Sequence, residues 1–349
     1  MVGRTLLILL VALLLVGGGC TSTATAPAGS PSPSATTAPA GATGQSPTAA
    51  LIHGSGDVNV MYAATLVGTF ERHVGPAFSQ LTGFKFLGEG KGSIAIANLI
   101  KDKTRQPDIF VSADTTVNNT LQGPANGDYV SWWVPFATTE LVIAWSPKSR
   151  LAPAFEAAKA GQRTWESALL EPGMRFGRTD PEIDPKGYRT VFMFELDQQL
   201  TGDRTLSQKI LGEPVNLPQL FLEEQLVARL QAGELDAGAF YEVEAIEAGL
   251  PYLTVPKEIH QGDISLADYY ATATYTNRNG TKYVGSPIVY TVTIPSTVRN
   301  RQGALAFAQY LLTEPGQVEL SAQGLVKAQP KLAGDASALP VELRVLVQN

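Results

Sequence analysis

Val58-Asn59-Val60-Met61-Tyr62-Ala63-Ala64-Thr65-Leu66 opens the stretch that decides the fold. Residues 58–62 read as a short apolar, β-branched strand, and residues 66–81 carry the spacing of an amphipathic helix. Working outward, 84–87 reads as a strand, 94–103 as a helix and 108–111 as a strand. Strands separated by helical segments of ten or more residues predict βαβ winding, with a parallel sheet covered on both faces.

The pattern restarts at Glu140-Leu141-Val142-Ile143-Ala144-Trp145, a buried-strand signal, and runs through a second set of alternating elements to about Pro256. A β-branched run over 288–294, ended by Pro295, and a helix over 303–312 are expected to rejoin the first set. The expected fold is therefore α/β and two-lobed, each lobe a mostly parallel sheet flanked by helices. Residues 51–138 form the first part of lobe 1, 139–285 form lobe 2, and 286–349 return to lobe 1 and supply a C-terminal tail. Two crossings between lobes suit a hinge that closes on a ligand.

The chain begins with Arg4, an apolar run over 6–16, and Gly17-Gly18-Gly19-Cys20, the layout of a secretory signal over residues 1–19. That run is roughly half the ~20 residues a membrane-spanning helix needs. Cys20 is the only cysteine among 349 residues, so the chain holds no internal disulfide. Small residues before a cysteine resemble a bacterial lipoprotein cleavage site, where that cysteine becomes the acylated first residue; Gly17 stands where that family usually has Leu. An ordinary signal with an incidental cysteine is the other reading. Residues 20–50, dominated by Ser, Thr, Ala, Pro and Gly and free of charge, read as a disordered tether. Arg4 is the sole charge before residue 51, which leaves 25 of the 26 basic residues against 32 acidic ones and argues against nucleic acid as a partner.

In open α/β sheets ligands sit beyond the carboxyl ends of strands, so the strand-to-helix turns carry the chemistry. Ala63-Ala64-Thr65 offers two small residues and a hydroxyl, and Thr65 is either an anion donor or a helix cap. Gly88-Glu89-Gly90-Lys91-Gly92-Ser93 is glycine-rich and puts Ser93 at a helix head. It fails the P-loop pattern because Lys91 precedes Gly92 rather than Ser93. A third turn, Arg178-Thr179-Asp180-Pro181-Glu182-Ile183-Asp184-Pro185-Lys186-Gly187-Tyr188-Arg189, is a rigid loop before the helical run 191–200. The fourth, Gly233-Glu234-Leu235-Asp236-Ala237-Gly238-Ala239-Phe240-Tyr241, leaves a helix and enters a strand that delivers Tyr241, a hydrogen-bond donor or a core phenol.

Taken together these turns resemble the molybdate/tungstate-binding proteins of ABC importers, a family with the type II periplasmic-binding-protein fold. The carriers are Ala63-Ala64-Thr65-Leu66, where the family usually has Ser at 65, Gly92-Ser93-Ile94-Ala95, Pro107-Asp108-Ile109-Phe110-Val111-Ser112-Ala113-Asp114, Asp184-Pro185-Lys186-Gly187-Tyr188, and the Gly233–Tyr241 stretch. The resemblance implies an oxyanion held by Thr65, Ser93, the loop around Lys186, Gly187 and Tyr188, and Tyr241, with the lobes closing over it. It also implies a carboxylate at Asp184 next to the metal of the anion, with Glu242 open as a second one. The implied partners are a molybdate or tungstate anion, ABC permease subunits, and a membrane reached through the lipid on Cys20. No cofactor, resident metal or catalytic residue is implied. Lys91 and Arg189 are expected to be solvated at the cleft edge.

Rival readings remain within and beyond that class. Sulfate, phosphate or an organic anion fits the same fold, and the extra methyl of Thr65 narrows the site. A hydrolase finds little support: His53, His73 and His260 form no zinc-protease spacing, and the chain has no Gly-x-Ser-x-Gly elbow. A structural lipoprotein has no use for donor-lined turns at strand ends.

Overall fold

The computed structural model describes residues 50–347; the expected signal segment, Cys20 and nearly all of the tether lie outside them. Thirteen strands are described: β1 (Asp57–Ala63), β2 (Lys85–Lys91), β3 (Ile109–Ser112), β4 (Trp132–Thr138), β5 (Leu141–Trp145), β6 (Phe176–Gly177), β7 (Ala237–Tyr241), β8 (Tyr252–Thr254), β9 (Thr274–Thr276), β10 (Lys282–Val284), β11 (Val289–Thr293), β12 (Val326–Lys327) and β13 (Ala333–Gly334). One sheet runs β12-β4-β11-β3-β1-β2, with β13 also on β4. The other runs β6-β7-β5-β8, and β9 and β10 form a separate hairpin.

Both sheets are mixed, which corrects the expectation of mostly parallel ones. In the first, β1 pairs in parallel with β2 and β3, but β11 runs antiparallel to β3 and β4. In the second, β6 and β7 are parallel while β5 is antiparallel to β7 and β8. Periodicity marks where strands lie, whereas strand direction depends on where the chain re-enters a sheet, and here it changes sheets twice. Only Thr139 and Glu140 separate β4 in one sheet from β5 in the other, and residues 285–288 lead back into β11.

β1 lies between β2 and β3, and its last four residues are all buried, as a strand covered on both faces requires. The predicted helix after it is a continuous helical run: Ala64–Leu66, Val67–Thr69, a wider π turn over Phe70–Val74, then Gly75–Thr82. Phe70, Val74 and Phe78 on its inner face are fully buried, and Phe78 meets Phe307 of the helix Arg301–Leu312 edge-on at 4.9 Å. Each such ring contributes about 1.5–3 kcal/mol by leaving water. Gly83, at φ +84°, ends the run in the left-handed conformation that glycine adopts without strain. The stems of the site turns are therefore anchored in the core. Among the described residues no helix is long and apolar enough to cross a membrane.

Candidate functional site

The first sheet delivers two hydroxyls. Thr65 follows β1 directly, is 5% exposed, and has Oγ1 2.8 Å from Tyr290 Oη on β11. Ser93 is the first residue of the helix Ser93–Lys101, whose Ile96, Ala97 and Ile100 are buried and fix its axis. Its side chain makes no cap on that helix; Ser93 Oγ accepts from the Ala113 N–H at 3.1 Å and keeps its own O–H to donate.

The second lobe delivers a carboxylate, an ammonium and two phenols. Asp184 caps the helix Pro185–Thr201, its Oδ1 accepting from Lys186 N–H at 2.8 Å. The Gly187 N–H donates to the Asp184 carbonyl at 3.1 Å, so the first amides of this helix are spent inside the turn. A Cβ on Gly187 would lie 2.5 Å from Asp180 C and Pro181 N, which means the loop bearing Asp184 sits where it does because residue 187 has no side chain. Lys186 Nζ is fully buried, 2.6 Å from Glu223 and 2.8 Å from Glu244. Glu244 Oε2 in turn accepts from the Tyr241 N–H at 2.8 Å, so one ammonium ties the Asp184 turn to the end of β7.

These charges shift one another. Burial and the neighbouring Glu223 carboxylate push the Asp184 carboxyl up to about 6. Burial, then Glu223, holds Glu244 well above its usual range. For Lys186 burial alone favours the neutral amine, but Glu223, Glu244 and Asp184 more than offset it, and its pKa is raised. Burial also raises the phenols of Tyr188 and Tyr241; the Tyr188 Oη lies beside the Asp114 carboxylate, whereas the Tyr241 Oη has no hydrogen-bond partner among the described residues. A fully buried phenol without a partner is a hydrogen bond left unmade, which costs about 1–3 kcal/mol.

The two lobes meet around these groups. The Ala95 N–H donates to the Ile183 carbonyl at 3.3 Å, and a Cβ on Gly92 would stand 3.2 Å from Asp184 Oδ2, so the Ser93 turn lies against the Asp184 loop. Tyr241 is edge-on to Tyr290, ring centroids 6.3 Å apart. A crevice of about 420 Å³ lined by Ala64, Thr65, Glu223 and Glu244, and a smaller one of about 140 Å³ lined by Ala64, Gly92, Asp184 and Glu223, both border the carboxylate side of this place. Among the described residues no group of three His, Cys, Asp or Glu is arranged to hold a metal ion.

Thr65, Ser93, Asp184, Lys186, Gly187, Tyr188 and Tyr241 thus fall in one neighbourhood, with Lys186 turned to carboxylates and Gly187 acting through its backbone. Glu242 goes elsewhere: its carboxylate accepts from Tyr252 Oη at 3.0 Å, beside a surface crevice that also holds Lys159 and Thr254. The second carboxylate near Asp184 is Glu223, in the first turn of the helix Glu223–Ala232 and 6% exposed. A charged residue opening a helix just before the Gly233–Tyr241 stretch was the available signal for it. Lys91 is exposed as expected. Arg189 is not: 1% exposed, it donates to Asp114 Oδ2 at 2.6 Å and to the Ser286 carbonyl at 2.5 Å, joining lobe 2 to lobe 1 and to the returning segment. Its partners are distant in sequence, so a charge after a loop read as solvated.

The family model described as bacterial extracellular solute-binding protein matches residues 58–326. An uncharacterised solute-binding protein of Halobacterium salinarum is 32% identical over 294 residues, covering 84% of this chain and 91% of the relative. A Pyrococcus abyssi protein named molybdate/tungstate-binding protein is 30% identical over 296 residues, 78% of this chain and 83% of its own. In fold, the chain is similar to the Azotobacter vinelandii periplasmic molybdate-binding protein, with a TM-score of 0.55 at 19% identity over 78% of this chain and all of that one. With two mixed sheets joined by two crossings and a matching family model over most of its length, the chain belongs to the bacterial extracellular solute-binding proteins.

Proposed function

We propose that this chain is the extracytoplasmic binding component of an ABC importer, capturing molybdate or tungstate between its lobes and presenting the closed form to a membrane permease. The observation that carries this reading is the convergence of buried hydroxyls on one place, with the Tyr241 Oη lacking an acceptor of its own. Relatives named for molybdate and tungstate support the choice of anion. Thr65, Ser93, Tyr188 and Tyr241 donate to the anion's oxygens. Asp184 and Glu223 come beside it as carboxylates, which repel a dianion unless they bond its metal centre and expand its coordination. Lys186 offsets part of that charge, and Gly187 keeps the loop close. The role is capture and delivery, with no chemical step on the ligand. The signal over residues 1–19 is removed, Cys20 carries the lipid, and the tether to residue 50 lets the folded body reach away from the membrane surface.

Isothermal titration of the purified protein with molybdate, tungstate, sulfate and phosphate at equal ionic strength tests the ligand. Tight binding of the first two alone is the expected result. Binding of sulfate or phosphate in their place overturns the ligand and keeps the fold, and heat from none of the four removes the oxyanion reading.

A further inference from the structure

Thr65 and Ser93 share an arrangement. Each oxygen is met by a donor from another strand or turn: Ser93 Oγ accepts from the Ala113 N–H at 3.1 Å, and Thr65 Oγ1 lies 2.8 Å from Tyr290 Oη. Either oxygen can donate in that pair; a phenol is the stronger acid and an aliphatic hydroxyl the better acceptor, which favours Tyr290 as the donor. With Tyr290 donating to it, Thr65 keeps its own O–H to give, and Thr65 lines the crevice of about 420 Å³ that also borders Glu223 and Glu244. Tyr290 itself has little freedom. It is fully buried on β11, between β3 and β4, and its ring stands edge-on to Tyr241 at 84°.

We propose that Tyr290 is a positioning residue of the anion site: without touching the ligand, its phenol holds the Thr65 hydroxyl so that its O–H is free to donate, as the Ala113 amide does for Ser93. The ligand feature this selects is an oxygen that only accepts, as in a fully ionised oxyanion. The inference rests on the oxyanion reading above and deepens it.

The test compares wild type, Tyr290→Phe, Thr65→Val and the double variant by calorimetric titration with molybdate, tungstate and sulfate. Tyr290→Phe keeps the ring and removes one oxygen, and it is expected to weaken binding about three- to tenfold while its thermal midpoint stays close to wild type. Thr65→Val weakens binding further. Because Tyr290 acts through Thr65, adding Tyr290→Phe to Thr65→Val brings no further loss, or a partial recovery as the stranded phenol is removed. Unchanged affinity in Tyr290→Phe, or equal losses in both backgrounds, overturns the proposal, since a merely structural role lowers affinity whether or not Thr65 has a hydroxyl. If wild type binds none of the three anions, the functional reading fails and takes this with it; wild-type binding with an indifferent Tyr290→Phe defeats the positioning role alone.

Discussion

Asp184→Asn sets stability against binding. The wild-type carboxyl is buried beside Glu223 and has its pKa raised from 3.8 to about 6, a difference of about two units. At roughly 1.4 kcal/mol per unit, the ionised group costs the fold about 3 kcal/mol once the pH exceeds 6. That cost is absent below pH 4, where the group is protonated in folded and unfolded chains alike, so stability from this residue falls as the pH rises from 4 to 6. Asn keeps an oxygen to accept from the Lys186 N–H, now at 2.8 Å, so little of the cap is lost. Urea unfolding without added anion is expected to show Asp184→Asn more stable than wild type by about 2–3 kcal/mol at pH 8, with a flatter profile between pH 4 and 6. The same variant reports on the ligand: a carboxylate bonded to the metal centre predicts a loss of affinity beyond about tenfold, and a mere like-charge neighbour predicts a gain. Equal stability of variant and wild type at pH 8, with the pH profile unchanged, refutes the electrostatic account of this cluster.

Two further substitutions test other parts of the site. Ser93→Ala is expected to weaken anion binding by about 1–3 kcal/mol in calorimetry, because it removes a donor and leaves the Ala113 amide without its acceptor. Arg189→Met strands the buried Asp114 carboxylate and two backbone carbonyls, and is expected to lower the unfolding free energy by about 3–5 kcal/mol in denaturant titration.

Local signals were legible and non-local ones were not. Residues 58–62, the helix heads at Thr65 and Ser93, and the glycine-and-proline loop before Tyr188 announce themselves through periodicity and turn chemistry, and the structure puts them at strand and helix ends. Tyr290 is 225 residues from Thr65, and Asp114 is 75 from Arg189; no pattern within one segment connects them. Glu242 shows how adjacency misleads. It follows Tyr241 in the chain, but the helix Glu242–Glu247 turns Glu244 inward to Lys186 and leaves Glu242 on the side of Tyr252. Strand direction was misread for a related reason, since it is settled by how the chain crosses between sheets and not by any residue of the strand itself.

The packing of the site phenols also gives the molecule an optical signal of its own. Tyr188 lies flat against Tyr283, centroids 4.4 Å and planes 12° apart, while Tyr241 stands edge-on to Tyr290. Rings held at such fixed angles in an asymmetric surround produce near-ultraviolet circular dichroism, and a new hydrogen bond at a phenol oxygen shifts the absorption of that ring. Trp145 and Trp165 pack instead on Phe155 and Phe194, and Trp132 and Trp133 lie on β4 next to β11. Filling of the cleft by the anion proposed above is expected to change the tyrosine part of this signal, with no label attached and no residue changed.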